Sequence, residues 1–256
     1  LNKYIYKEQL FAVYVYVITT LKKITLQTGL RAEQTIIRGT SETNPYQLKR
    51  AYLNFFPNLS IDYRRSEKNN IQLSYSYRID RPEYEQLNPG VIFTDRLDYW
   101  SGNPELKPQY SHNFNLELSH NNFITNSFSF THVDNSIYNF SYVRNNSHIT
   151  IDTVFNFASR NMLAYTLFIQ KQFAQFYNLQ FSGMFAYFNS IGTINGFNGN
   201  SETIAFKGFI NSEFMLPDDF KLQLSASGSS PVRDGIQLYG ARAALDIALQ
   251  KKVVRS

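Results

Sequence analysis

Long runs of strictly alternating residues recur along this chain, and few folds can hold them. From residue 23, Ile24, Leu26, Thr28, Leu30 and Ala32 fall on one side, while Thr25, Gln27, Gly29, Arg31 and Glu33 fall on the other. Ile71, Leu73, Tyr75, Tyr77 and Ile79 stand against Gln72, Ser74, Ser76 and Arg78, and the pattern returns over 110–119, 203–216 and 239–249. A period of two means extended strands with two chemically different faces. Several runs are about 10–14 residues long, where soluble strands average about 5–6. Arg, Lys, Glu and Asp sit in mid-run opposite apolar rows, so one face is wet and the other greasy along the whole length.

The connections alternate between short and long. Short turns fall near 20–22, 64–69, 120–122, 172–175, 217–219 and 250–252, and long ones cover about 37–50, 80–108, 144–150, 189–202 and 229–236. Residues 123–143 and 148–171 are expected to form a tall hairpin projecting beyond the rest. Short turns on one side and long loops on the other are the arrangement of a membrane-spanning antiparallel barrel. The pattern predicts about 11 long strands of a larger barrel. An odd set leaves open edges, whose unpaired N–H and C=O groups lipid cannot satisfy, so further strands or a partner are expected to close it.

Composition agrees with that reading. Aromatics reach 16%, with 22 Phe and 18 Tyr but one Trp, beside an ordinary 43% hydrophobic content. The longest apolar stretch, 10–18, is too short for a membrane helix of about 20 residues but right for a membrane strand of about 9–11. Tyr63, Tyr75, Tyr77, Tyr110, Tyr187 and Tyr239 cluster toward strand ends, as interfacial aromatic girdles do. With no cysteine, disulfides and zinc–thiolate sites are excluded. The net charge of +5 is scattered, with no basic stripe interleaved with aromatics, so nucleic acid is not expected as a partner. The opening residues lack the three-part pattern of a secretory signal, which is read as lying upstream.

At residues 71–109 the chain carries a recognisable signature. It comprises Arg81-Pro82, then Leu87-Asn88-Pro89, then Gly102-Asn103-Pro104-x-Leu106-x-Pro108, with Gly29-Leu30-Arg31-Ala32-Glu33 and Phe55-Phe56-Pro57-Asn58-Leu59 upstream. In this order the motifs resemble the C-terminal barrel region of the Bacteroidetes-type outer-membrane β-barrel family, which is similar to the TonB-dependent receptors. The resemblance implies a barrel of about 22 strands in the outer membrane of a Gram-negative bacterium. It also implies a plug domain and a TonB-type energising partner in the full-length protein. Residues 1–256 are then one incomplete barrel segment, without the plug or the last strands.

The signature residues read first as architecture. Gly102 supplies backbone freedom, and Pro104 and Pro108 fix φ, which together can return a long loop onto the next strand. Two groups could instead meet a ligand. Arg96, Tyr99 and Trp100 could stack on a sugar or planar chelate. Arg78 and Arg81 could clamp an anion, or join Asp80 and Glu83 in an ion-pair network at the barrel mouth. Arg31 with Glu33, and Arg242 with Asp246, read as lumen pairs. His112, His120, His132 and His148 lack ligand spacing, so no metal is expected. No nucleophile elbow, carboxylate pair or phosphate-cradling loop is present, so neither catalysis nor a cofactor is expected.

The reading is therefore an outer-membrane barrel that recognises or takes up an unknown extracellular ligand and contacts outer-membrane lipid. A barrel serving adhesion or assembly is the alternative within membranes. A soluble carbohydrate-binding β-sandwich is the alternative outside them, where the same apolar rows would form a dry core.

Overall fold

The structure, a computed structural model, describes residues 3–41, 47–143, 148–194 and 196–253. The chain climbs and descends through β1 (Tyr4–Leu21), β2 (Ile24–Ser41), β3 (Gln47–Ser66) and β4 (Asn69–Asp80). A long loop follows, holding helix α1 (Tyr84–Leu87) and the small strands β5 (Val91–Phe93) and β6 (Asp98–Ser101). The wall resumes with β7 (Gln109–His120), β8 (Ile124–Val143), β9 (Thr150–Ala174) and β10 (Tyr177–Ile191). A minor hairpin, β11 (Thr193–Ile194) and β12 (Phe197–Asn198), leads to β13 (Ser201–Leu216) and β14 (Phe220–Ser229). A second hairpin, β15 (Val232–Asp234) and β16 (Gln237–Tyr239), precedes β17 (Arg242–Lys251).

Eleven strands form the wall in the order β1-β2-β3-β4-β7-β8-β9-β10-β13-β14-β17, each antiparallel to its neighbour. This matches the strand number read from the alternation. The tight turns are made by residues that tolerate left-handed backbone: Asn121 and Asn122 at φ 53° and 57°, Asp218 and Asp219 at 57° and 60°.

Register explains the two faces. Direct pairing joins Leu59, Tyr75, Phe114, Phe130, Leu163, Tyr187 and Ile204 into one row. The next row joins Asn58, Ser76, Asn113 and Thr131 on the opposite face. The apolar row has no protein cover: Ile204 is 74% exposed and Leu163 56%. So large an unpartnered apolar face needs a non-aqueous neighbour. A sandwich would cover it with a second sheet, and here one continuous sheet carries the wall, which overturns the soluble alternative. No helix among the described residues is long and apolar enough to cross a membrane.

The wall strands outrun the bilayer. At roughly 3.3 Å per residue, β3 with 20 residues and β9 with 25 extend well past a ~25 Å apolar band, even when tilted. β8 and β9 form the expected tall hairpin. Two boundaries differ from the sequence reading. The loop expected over 37–50 is shorter, since β2 and β3 stay paired to Thr40↔Gln47, and residues 42–46 lie outside the described residues. Tyr239 belongs to the β15–β16 hairpin instead of the wall, so it is no girdle residue. Above the membrane, backbone pairing alone sustains a strand, so apolar alternation does not mark where strands stop.

Candidate functional site

The candidate site is the luminal wall at the long-loop end, where the loop between β4 and β7 folds onto the sheet. Alternation in β2 puts Arg31, Glu33 and Thr35 on the luminal face. Glu33 is 3% exposed and Thr35 fully buried, because Arg81 lies across them. Arg81 Nη2 donates to Glu33 Oε2 at 2.6 Å and to Thr35 Oγ1 at 3.0 Å, and its Nε faces Glu8 Oε1 at 3.5 Å. Arg31 Nε completes the group at 3.1 Å from Glu33 Oε1, the lumen pair expected from their spacing.

This corrects the network expected at the mouth. Arg81 pairs across two strands to β1 and β2, not with its chain neighbours. Asp80 accepts from Gln109 Nε2, and Glu83 is taken by the capping box that starts α1. Arg242 and Asp246 share the luminal row of β17, but no ion pair between them exists among the described residues. Four residues along a strand place them roughly 13 Å apart.

The signature loop is built as a clasp. Gly102 N donates to Asn88 O at 3.0 Å, and Asn103 N to Gln86 O at 2.7 Å, closing the loop on α1. A Cβ on Gly102 would meet the carbonyl oxygens of Asn88, Glu85 and Gln86 at 2.6, 2.6 and 2.7 Å, which explains the glycine. Arg50 on β3 donates to the carbonyls of Leu106 and Pro104. Asn103 Nδ2 donates to Val154 O at 3.1 Å, and Lys107 N to Asn156 Oδ1 at 2.7 Å, tying the loop to β9. Leu87 and Leu106 are buried with Tyr4 and Val154, the loop's own small core. Pro82 and Pro108 bracket this clasp, and Pro89 follows Asn88 at its centre.

The five ligand candidates separate. Arg81 is consumed by the wall. Trp100 is half-buried in β6, packed against the Leu87–Leu106 core, with its strand paired parallel to β9 through Asp152. Tyr99 contacts Phe93 at 5.9 Å between ring centroids. Arg96 and Arg78 remain exposed, Arg78 on the luminal row of β4 beside Ser111.

A second clasp was not foreseen. Asp234, 9% exposed, accepts from Tyr138 Oη and Ser190 Oγ, both at 2.8 Å, and from Arg160 Nη1 at 2.9 Å. It pins the β15–β16 hairpin to β8, β9 and β10. The Asp234-Gly235 pair, with Gly235 at φ 61°, is a hairpin signal that marked the turn but not its partners.

Comparison with known proteins follows this geometry. A family model described as the outer membrane protein beta-barrel family matches residues 1–256. Among solved structures, the chain is similar to the copper transporter OprC, at 10% identity and a TM-score of 0.71, covering 97% of this chain and 40% of that one. It is also similar to the siderophore receptor PirA from Pseudomonas aeruginosa (11%, TM-score 0.58, covering 97% and 52%). The ferric-catecholate import receptor Fiu from K12 E. coli is a third (13%, TM-score 0.63, covering 98% and 39%). The chain thus spans two fifths to half of these structures' lengths, and the likeness is one of fold. No curated protein matches it.

Proposed function

Because the chain belongs to the outer membrane protein beta-barrel family and sits in the outer membrane, we propose that it forms part of a TonB-dependent receptor-like barrel that recognises an extracellular ligand and takes it up. The observation that carries this reading is the inward clasp of the long loop, tied by Arg81 to Glu33 and by Arg50 to the Leu106 carbonyl. A loop held against the luminal wall at the mouth narrows the passage and presents residues to whatever enters it. The copper, siderophore and catecholate names of its structural neighbours support transport as the role, not catalysis.

Under this reading the polar luminal rows are the face a plug domain packs against, and a TonB-type partner energises release. The free edges of β1 and β17 call for further strands in the same barrel. Arg78 and Arg96, both exposed, are the side chains best placed to meet an anionic ligand. Tyr99 and Trp100 line the loop that carries Arg96 and shape its approach.

The test is titration of the full-length protein with anionic ferric and copper chelates and acidic oligosaccharides by calorimetry. Saturable binding that weakens about tenfold or more in Arg78→Ala or Arg96→Ala supports the reading, since a charged hydrogen bond contributes about 1.5–3 kcal/mol. Uptake by cells that persists without proton-motive force would overturn it.

A further inference from the structure

The two borders of the apolar face differ in how their charges are seated, with lysines lying over aromatic rings at the short-turn border. Toward the long loops the outward row carries both signs: Lys7, Arg38 and Lys49 lie exposed in direct register, while Asn189 Nδ2 donates to Glu202 Oε1 at 3.2 Å. Toward the short turns it ends in cations. Lys171 follows Leu167 and Ile169 on the outward row of β9, and its Nζ sits 4.1 Å from the Phe123 ring centroid and 5.2 Å from that of Phe173. Lys251 follows Ile247 and Leu249 on β17, with its Nζ 4.6 Å over Phe220, its direct cross-strand partner. Lys22, Arg64, Arg65 and Lys68 are exposed at the first two turns of the same border, with Glu67 among them, and Asp218 and Asp219 sit at the later β13–β14 turn.

We propose that this short-turn rim is a docking surface for acidic phospholipid headgroups, with Lys171 and Lys251 as its two seats. Each lysine runs its methylenes along apolar wall and brings its ammonium to headgroup depth. The aromatic ring beneath holds the ammonium by cation–π attraction and leaves its outward N–H donors for a phosphate oxygen. Rings at this depth also accept the glycerol and first acyl carbons. Short turns mark the periplasmic side of outer-membrane barrels, so the surface meets the phospholipid leaflet. Charge complementarity selects the occupant: phosphatidylglycerol brings a net negative headgroup, phosphatidylcholine does not. The proposal rests on the placement of the chain in the outer membrane and not on uptake, so a failed ligand screen leaves it standing.

The experiment places the full-length protein in bilayers of equal phosphatidylglycerol and phosphatidylcholine and measures relative association with spin-labelled lipids. The expected result is a preference for phosphatidylglycerol of about fivefold per seated lysine at low salt. It should fall toward parity in the Lys171→Gln/Lys251→Gln double variant and stay unchanged in Lys207→Gln, a luminal control. Should the double variant fail to fold, a salt titration of the unsubstituted protein decides, since an electrostatic preference decays as salt rises. Parity at low salt, or a preference indifferent to salt or to the double substitution, would overturn the proposal.

Discussion

Arg81 and Glu33 meet at 2.6 Å although β3 and β4 separate them in the chain. The contact ties the first residue after β4 to the luminal face of β2, and Glu33 is almost wholly excluded from solvent there. Removing Arg81 would leave the buried Glu33 carboxylate with Arg31 as its remaining cation, at a cost below the about 3–5 kcal/mol of a wholly unpaired buried charge. Arg81→Ala should therefore loosen the loop, seen as faster amide exchange across residues 84–106, while the wall strands keep their protection. Arg81→Lys should not rescue it, because a single ammonium cannot reach Glu33, Thr35 and Glu8 together. Unchanged exchange in Arg81→Ala would mean that Arg50 and the Leu87–Leu106 core hold the loop alone.

Gly102 gives a sharper local test. A methyl there collides with three backbone carbonyls that cannot swing aside as a side chain could. Gly102→Ala should cost about 1–3 kcal/mol of loop stability, in the range of overpacking. Limited proteolysis of the folded barrel should then cut within residues 88–103 in the variant and spare them in the native protein. Equal resistance in both would show that α1 can move.

These clasps mark where sequence reading reached its limit. The eleven strands were legible because lipid on one side and water on the other impose alternation on every wall residue, and Leu73 or Phe114 could hardly be read otherwise. Arg31 and Glu33 were legible as a pair because two residues along a strand share a face. Arg81 was not assigned to Glu33, since its partner is chosen by how the loop crosses two strands, which period two does not encode. Asp234 was missed for the same reason: Tyr138, Arg160 and Ser190 lie on three strands brought together only by register. The ends of β2 and β3 escaped because pairing continues beyond the membrane without any apolar signal.

The pairing of β6 with β9 should respond to pH. Burial, then the Asp152 and Asp95 carboxylates, hold Asp98 above the ordinary carboxylate range. Its folded-state pKa is thus raised above the unfolded value, so the folded loop favours the protonated acid. The contribution is fully present below the ordinary Asp range and is lost as pH rises through the raised value. Thr150 N, which donates to Leu97 O at 2.7 Å, should exchange more readily near neutrality than in mild acid, after correction for intrinsic rates. Asp98→Asn should remove the difference. Equal protection at both pH values in the unsubstituted protein would sink the account.

The membrane-facing assignment itself can be tested on adjacent residues of β13. Ile210 lies on the apolar row, paired with Phe181 and Ala226, while Asn211 lies on the luminal row, paired with Gln180 and Ser225. An arginine on the lipid face near mid-bilayer costs about 2–4 kcal/mol, and one in a wet lumen costs little. Ile210→Arg should therefore lower the yield of heat-modifiable barrel in lipid vesicles, whereas Asn211→Arg should fold almost as the native protein does. Neighbouring positions share backbone, strand and depth, so propensity and position cancel between the two variants. If both fold equally well, the apolar row does not face lipid at this depth. If the order is reversed, the faces are exchanged, and Arg31, Arg78 and Glu33 would have to be reread as lipid-facing charges.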